Sequence, residues 1–251
     1  HLSLRRQRQM CIRDRGSIWQ LRPPRPRTLV EFIGGSYLAA TPQVSYRRLL
    51  EGLVSQGIAV HAWSYIPGFD HQNQARQAWS DLRTARRQLE ERSGRLPAPL
   101  RLGHSLGCKL HLLAPDGGRG SCGLVALSFN NFEADRSIPL LGDIAPRLGV
   151  ETEFSPGPAE TLRLISRHYL QPRNLVVRFG TDGLDQSEEL IPALNQRSDD
   201  ATVFQQLPGD HLTPASAGLR RSLLGAWADD PKRAAVLSRL TTTVAEWTMP
   251  D

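Results

Sequence analysis

The 251-residue sequence predicts an α/β fold, a mostly parallel central sheet with helices on both faces. Three observations predict it. Short β-rich runs alternate along the chain with longer segments of helical periodicity. The runs are apolar on both faces instead of alternating, as strands covered on two sides must be. Glycines punctuate the junctions, and 39% hydrophobic with 22% charged residues is an ordinary globular composition. A chain of this length suits one sizeable domain.

Strands are expected over 28–33, 58–65, 100–102, 123–129, 175–179 and 202–206. After Thr28-Leu29-Val30-Glu31-Phe32-Ile33 come Gly34-Gly35, then Val44, Leu49, Leu50, Leu53 and Val54 near helical spacing, so 44–56 reads as a helix closed by Gly57. Residues 70–93 form a long polar helix ended by Gly94, and a helix-compatible run follows Gly107. Short helices are expected over 162–169 and from Gln186, and late ones over 219–227 and 234–247. Between 130 and 173 the alternation lapses around Pro139, Pro146, Pro156, Pro158 and Pro172, and so long an excursion reads as a Pro-rich lid.

The net charge of +6 is concentrated at one end. Residues 1–27 hold eight arginines and one acidic residue, whereas 28–251 hold 23 basic and 24 acidic residues. With a near-neutral body, no nucleic-acid partner is expected. Arg8-Gln9-Met10-Cys11-Ile12-Arg13-Asp14 reads like the translation of a sequencing-library adapter, so 1–27 is set aside as a disordered basic head, in part adapter-derived, and the domain is expected over 28–251. Cys108 and Cys122 have neither disulfide nor zinc spacing, and no dinucleotide fingerprint, phosphate loop or metal-ligand cluster appears, so no cofactor and no metal is expected. No window is long and apolar enough for stable membrane insertion, and a cytoplasmic setting is the default.

Chemistry concentrates at strand ends. Gly103-His104-Ser105-Leu106-Gly107 fits the G-x-S-x-G elbow, after a strand and before a helix. Glycines at both flanks let strand and helix approach while the serine projects above the sheet, and the Leu106 amide faces a developing oxyanion. A serine hydroxyl needs a base and an orienting acid. Among seven histidines, His211 alone follows the late acidic candidates, which makes it the base. Asp182 and Asp185 both follow the strand at 175–179; Asp182 is the preferred acid and Asp185 the alternative, as a helix cap. The turn Gly34-Gly35-Ser36-Tyr37 is expected to supply the second oxyanion donor from Ser36, with Tyr37 the alternative. His104 and Gly35 are expected to line the substrate site beside the nucleophile.

With these residues in order, the sequence resembles the α/β-hydrolase superfamily from Thr28 to about Trp247. Phe32-Ile33-Gly34-Gly35-Ser36-Tyr37, Phe69-Asp70-His71-Gln72, the elbow, Ser128-Phe129-Asn130-Asn131-Phe132, Ile138-Pro139-Leu140-Leu141 and Phe154-Ser155-Pro156-Gly157-Pro158 are similar to a branch of unknown function found mainly in cyanobacteria and chloroplasts. The resemblance implies the hydrolase fold and a serine hydrolase, and in a plant a stromal location. Gly34-Gly35 stands where many members carry His-Gly. The expected activity is cleavage of an ester or thioester of a small, lipid-like acyl substrate through an acyl-enzyme. A non-catalytic, hydrolase-shaped binding or assembly protein and an acyltransferase with the same triad stay open, as does the oligomeric state.

Overall fold

In the computed structural model, residues 11–15, 17–132, 153–215 and 231–249 are described. Eight strands form one sheet: β1 Cys11–Arg15, β2 Ile18–Arg22, β3 Thr28–Ile33, β4 Ile58–Trp63, β5 Leu100–His104, β6 Gly123–Leu127, β7 Asn174–Phe179 and β8 Val203–Leu207. Their spatial order is β1-β2-β4-β3-β5-β6-β7-β8. The six strands from β3 onward are parallel, and β1 and β2 add an antiparallel edge beside β4. This is the α/β-hydrolase architecture.

The helices are α1 Pro42–Ser45, α2 Arg47–Ser55, α3 His71–Ser93, α4 Leu106–Leu112, α5 Pro158–His168, α6 Ser187–Asn195 and α7 Pro231–Trp247. They cover both faces because the side chains of β3 to β7 are buried on both sides of the sheet. Val30, Phe32, Leu100, Leu102, Val125, Val177 and Phe179 face one way, against Leu49, Leu50 and Leu53 of α2 and Leu237, Leu240 and Val244 of α7. The opposite face holds Ile33 and Trp63 against Ala75, Ala78 and Leu82 of α3 and Leu106 and Leu110 of α4. Leu124, Ala126 and Val176 pack there against Ile165 of α5 and Leu190 and Leu194 of α6. Helix α3 manages this burial at mean polarity because Ala75, Ala78, Leu82, Ala85 and Leu89 recur every three or four residues and form one stripe. Asp70 starts that helix by accepting the Asn73 amide at 2.8 Å.

The expected strands and helices lie where the periodicity places them, to within a few residues at the ends. The expected single helix over 44–56 divides at Tyr46 into α1 and α2. The domain boundary at Thr28 is corrected. Ile18 and Leu21 are buried, β2 pairs with β4 from Ile18↔Trp63 to Leu21↔Val60, and the Ser17 hydroxyl donates to Asp81 at 2.5 Å. Arginine density hid a five-residue strand whose apolar side chains reach the core. The helix expected over 219–227 and the Ile138 motif lie outside the described residues, as do residues 133–152 of the expected lid. Of its described parts, 130–132 and 153–173, the second contributes α5 and a segment that runs beside the start of α3, through an isolated parallel bridge between Asp70 and Ser155.

Candidate active site

The elbow is built from a close approach. A Cβ on Gly107 would stand 2.0 Å from the Ile33 carbonyl oxygen, and one on Gly103 would stand 2.6 Å from the Cys108 Cα. Only hydrogen at both positions lets α4 start directly on β5 and beside β3. Between them Ser105 takes φ 55° and ψ −123°, a conformation that costs a non-glycine residue of order 1–3 kcal/mol and persists because the packing on either side dictates it. Ser105 donates its amide to the Leu127 carbonyl at 2.9 Å, so the strained residue is pinned to the neighbouring strand.

His211 and Asp182, the expected base and acid, follow the ends of β8 and β7. His211 Nδ1 lies 2.9 Å from an Asp182 carboxylate oxygen, and donates its proton there because a carboxylate only accepts. That leaves the lone pair on Nε2. The other Asp182 oxygen accepts the Leu184 amide at 2.8 Å. Burial pushes the Asp182 pKa up, but the hydrogen bonds from the His211 imidazole and the Leu184 amide hold it below the ordinary carboxylate value. The two loops are also joined directly, since the Thr181 amide and hydroxyl both donate to the Gly209 carbonyl, at 2.9 and 2.7 Å. Asp185 faces elsewhere. Its two oxygens accept the amide and hydroxyl of Ser187, each at 2.9 Å, at the start of α6, and burial raises its pKa.

Among the described residues, no hydrogen bond joins Ser105 Oγ to His211. The elbow and the base loop are tied by the residue before the serine. His104 Nε2 lies 2.9 Å from the His211 carbonyl oxygen, and the two imidazoles are 5.0 Å apart between centroids. Catalytic contacts that tighten only with substrate bound are common in unliganded sites.

His104 therefore does not line a substrate surface as expected, whereas Gly35 stands beside Ser105. His104 is fully buried, with Nδ1 2.8 Å from the Tyr46 hydroxyl and Nε2 on His211, so both ring nitrogens are used within the protein. Gly35 is buried against the nucleophile; a Cβ there would stand 3.0 Å from Ser105 Cβ and 3.4 Å from Oγ. Its amide donates to Tyr46 at 2.8 Å, whereas the Ser36 and Leu106 amides find no acceptor among the described residues. Tyr37, the alternative donor, has φ 61° and an exposed side chain.

Tyr46 and Tyr65 escaped sequence reasoning. Their only signals are an aromatic residue in a polar helix start and one at the end of a strand, and each describes many residues with no role. Two quoted motifs meet in space. Phe154 packs on His71 at 4.3 Å between centroids, and the Lys109 ammonium donates to the Pro156 carbonyl at 2.9 Å. His71 is buried beneath this segment. Among the described residues there is no group of histidine, cysteine and acidic side chains that could hold a metal ion, and no helix is long and apolar enough to cross a membrane.

The chain is similar in fold to carboxyl esterase 2 of Tuber melanosporum, at 15% identity over 92% of this chain and 82% of that one, with a TM-score of 0.64. A fluorophosphonate-binding serine hydrolase of Staphylococcus aureus matches at 16% identity over 96% and 98%, with a TM-score of 0.58. A monoacylglycerol lipase of Paleococcus ferrophilus matches at 14% over 90% and 98%, with a TM-score of 0.55. At these identities the likeness is one of fold. No curated protein matches the sequence. Residues 12–228 match the family described as protein of unknown function DUF1350, which begins inside the segment set aside as a head. The chain thus belongs to the DUF1350 family and has the α/β-hydrolase fold.

Proposed function

We propose that this protein is a serine hydrolase that cleaves an ester or thioester through an acyl-enzyme, with Ser105 as nucleophile, His211 as base and Asp182 as orienting acid. The observation that carries the reading is the conjunction of a strained Ser105 at a helix start with a His211–Asp182 pair 2.9 Å apart on the adjoining loops. Strain at a buried serine has no use in packing, and an imidazole held by its Nδ1 proton presents a basic Nε2.

In the first half-reaction Ser105 Oγ attacks the acyl carbonyl carbon as His211 Nε2 takes its proton. The carbonyl oxygen becomes an anion facing the Ser36 and Leu106 amides. Collapse expels the alcohol or thiol, which leaves with the proton from His211. Water then attacks the acyl-enzyme, His211 takes its proton, and the carboxylic acid departs with Ser105 restored. Asp182 stays ionised throughout and stabilises the imidazolium, for which a depressed pKa suits it.

An apolar acyl group is the favoured substrate class. Tyr37, Ile66, Phe69, Leu184 and Leu212 are exposed, and all lie on loops that follow the carboxyl ends of β3, β4, β7 and β8, the end of the sheet where Ser105 sits. The esterase, lipase and fluorophosphonate-binding hydrolase with this fold add weight to the same reading.

Stopped-flow assay with p-nitrophenyl esters and the corresponding thioesters tests it. The expected result is a burst of one equivalent of released chromophore followed by turnover, both absent in Ser105→Ala. Absence of turnover on every acyl length in the folded wild-type chain would overturn the proposal.

A further inference from the structure

The glycine pair beside the nucleophile has no Cβ to restrict it, yet its peptide plane is held from both edges. The Gly34 carbonyl accepts the Tyr65 hydroxyl at 3.0 Å, and the Gly35 amide donates to the Tyr46 hydroxyl at 2.8 Å. This peptide is trans, so its C=O and N–H point to opposite sides and the two tyrosines grip one plane between them. Both tyrosines are buried. A Cβ on Gly34 would stand 2.6 Å from the Tyr46 ring, so the fit on that side is tight.

The proton on Tyr46 is directed as well. A carbonyl only accepts, so the His104 nitrogen facing the His211 carbonyl at 2.9 Å must be Nε2–H. Burial pushes the His104 pKa down to about 3, which keeps the ring neutral and makes Nδ1 the acceptor. Tyr46 therefore donates to His104 and keeps a lone pair for the Gly35 amide. The following plane is tied too, since the Gly35 carbonyl accepts the Ala39 amide at 3.0 Å. The Ser36 N–H lies on the opposite edge of that second plane and points away from Ala39.

We propose that Tyr46 and Tyr65 are positioning residues that clamp the Gly34–Gly35 peptide and so preset the Ser36 amide as an oxyanion donor, with His104 fixing the direction of the Tyr46 hydroxyl. The inference rests on the serine hydrolase reading above. It deepens that reading by naming what holds the second donor in place, two side chains remote in sequence from the nucleophile. Rotation of the clamped plane would turn the next peptide with it, and displacement of a catalytic group by about 1 Å is enough to cost on the order of 100-fold in rate.

Tyr46→Phe and Tyr65→Phe test the proposal, with near-native circular dichroism as the condition for reading either. Each is expected to lower kcat on one ester roughly 10- to 100-fold with KM within about threefold, and to weaken an alkylboronic acid, whose tetrahedral adduct mimics the oxyanion, in parallel with kcat/KM. A merely structural role would not move kcat and boronate affinity together at constant KM. If Tyr46→Phe fails to fold, Tyr65→Phe carries the test alone. Values of kcat within twofold of wild type in the folded variants would overturn the clamp. Should wild type neither turn over esters nor label with a fluorophosphonate, the hydrolase reading fails, and amide exchange at Gly35 still reports the clamp: at least about tenfold faster exchange in Tyr46→Phe supports it, and an unchanged rate overturns it.

Discussion

The elbow at 103–107 and the glycine turn at 34–37 stand side by side around one serine, yet they are shaped by opposite means. The elbow is shaped locally. Gly103 and Gly107 permit the contact of α4 with β5 and β3, and Ser105 takes its strained angles because nothing else fits between them. The glycine turn is shaped from a distance, by hydroxyls from Tyr46 and Tyr65 that arrive 11 and 31 residues along the chain. The acid and base belong with the second kind, since Asp182 and His211 meet across 29 residues. Local geometry shapes the elbow, and long-range hydrogen bonds shape what surrounds Ser105.

The largest expected effect breaks the long-range half. Asp182→Asn should leave the fold intact and lower kcat by roughly 10⁴-fold, because an amide stabilises the wrong tautomer of His211 and cannot stabilise its imidazolium. Steady-state kinetics on one ester reads the change, and a loss below about tenfold would assign the acid elsewhere.

Next comes the antiparallel edge of the sheet. Deleting 1–22 removes β2 and uncovers β4; Ile18 and Leu21 alone represent about 3–6 kcal/mol of burial. A fall in thermal midpoint of roughly 10 °C or more, or failure to fold, is expected. An unchanged midpoint would mean that the sheet does not need this strand.

The local half breaks by packing. Gly107→Ala puts a methyl on the Ile33 carbonyl, a backbone atom that cannot swing aside, and should destabilise the chain by about 3 kcal/mol with loss of activity. Denaturant unfolding measures it, and a neutral substitution would show that α4 can slide.

A smaller, graded effect comes from pH. Burial pushes His71, His104 and His111 down to about 3 and His61 to about 4, from an ordinary value of 6.5. The unfolded chain therefore takes up these protons first. The histidines' contribution to stability is complete above about pH 6.5 and declines as pH falls toward 4, by up to about 1.4 kcal/mol per pH unit for each histidine. Thermal midpoints should drop from pH 7 to pH 5, and His61→Gln should flatten the slope by one histidine's share. Equal midpoints at the two pH values would contradict the burial of neutral imidazoles.

The smallest effect is the control for the first. Asp185→Asn retains an acceptor for the start of α6, so it should cost at most about 1 kcal/mol and change kcat less than about tenfold.

What could be read from the sequence divides along the same line as the opening contrast. The elbow was legible because its determinants, two glycines and a serine between a strand and a helix, lie within five residues. Strand and helix positions were legible because apolar periodicity is local. Asp182 was ranked above Asp185 by its nearness to the strand end, and the structure places Asp182 on His211 and Asp185 on Ser187. Tyr46 and Tyr65 were not legible, since a hydroxyl that reaches a peptide from another element leaves no spacing behind. His104 was misjudged for the same reason: its neighbourhood in the chain is the nucleophile, but its hydrogen bonds go to Tyr46 and His211. The strand at Ile18–Arg22 was hidden by the arginines around it, although Ile18 and Leu21 carry its burial.

Labelling of the intact chain by a fluorophosphonate, read by mass spectrometry of the whole protein and of its peptides, tests most directly whether Ser105 is an activated nucleophile. The result expected is a single adduct on the peptide that contains Ser105, absent in Ser105→Ala and slowed strongly in Asp182→Asn. An unlabelled wild-type chain, or an adduct on any other serine, would contradict it.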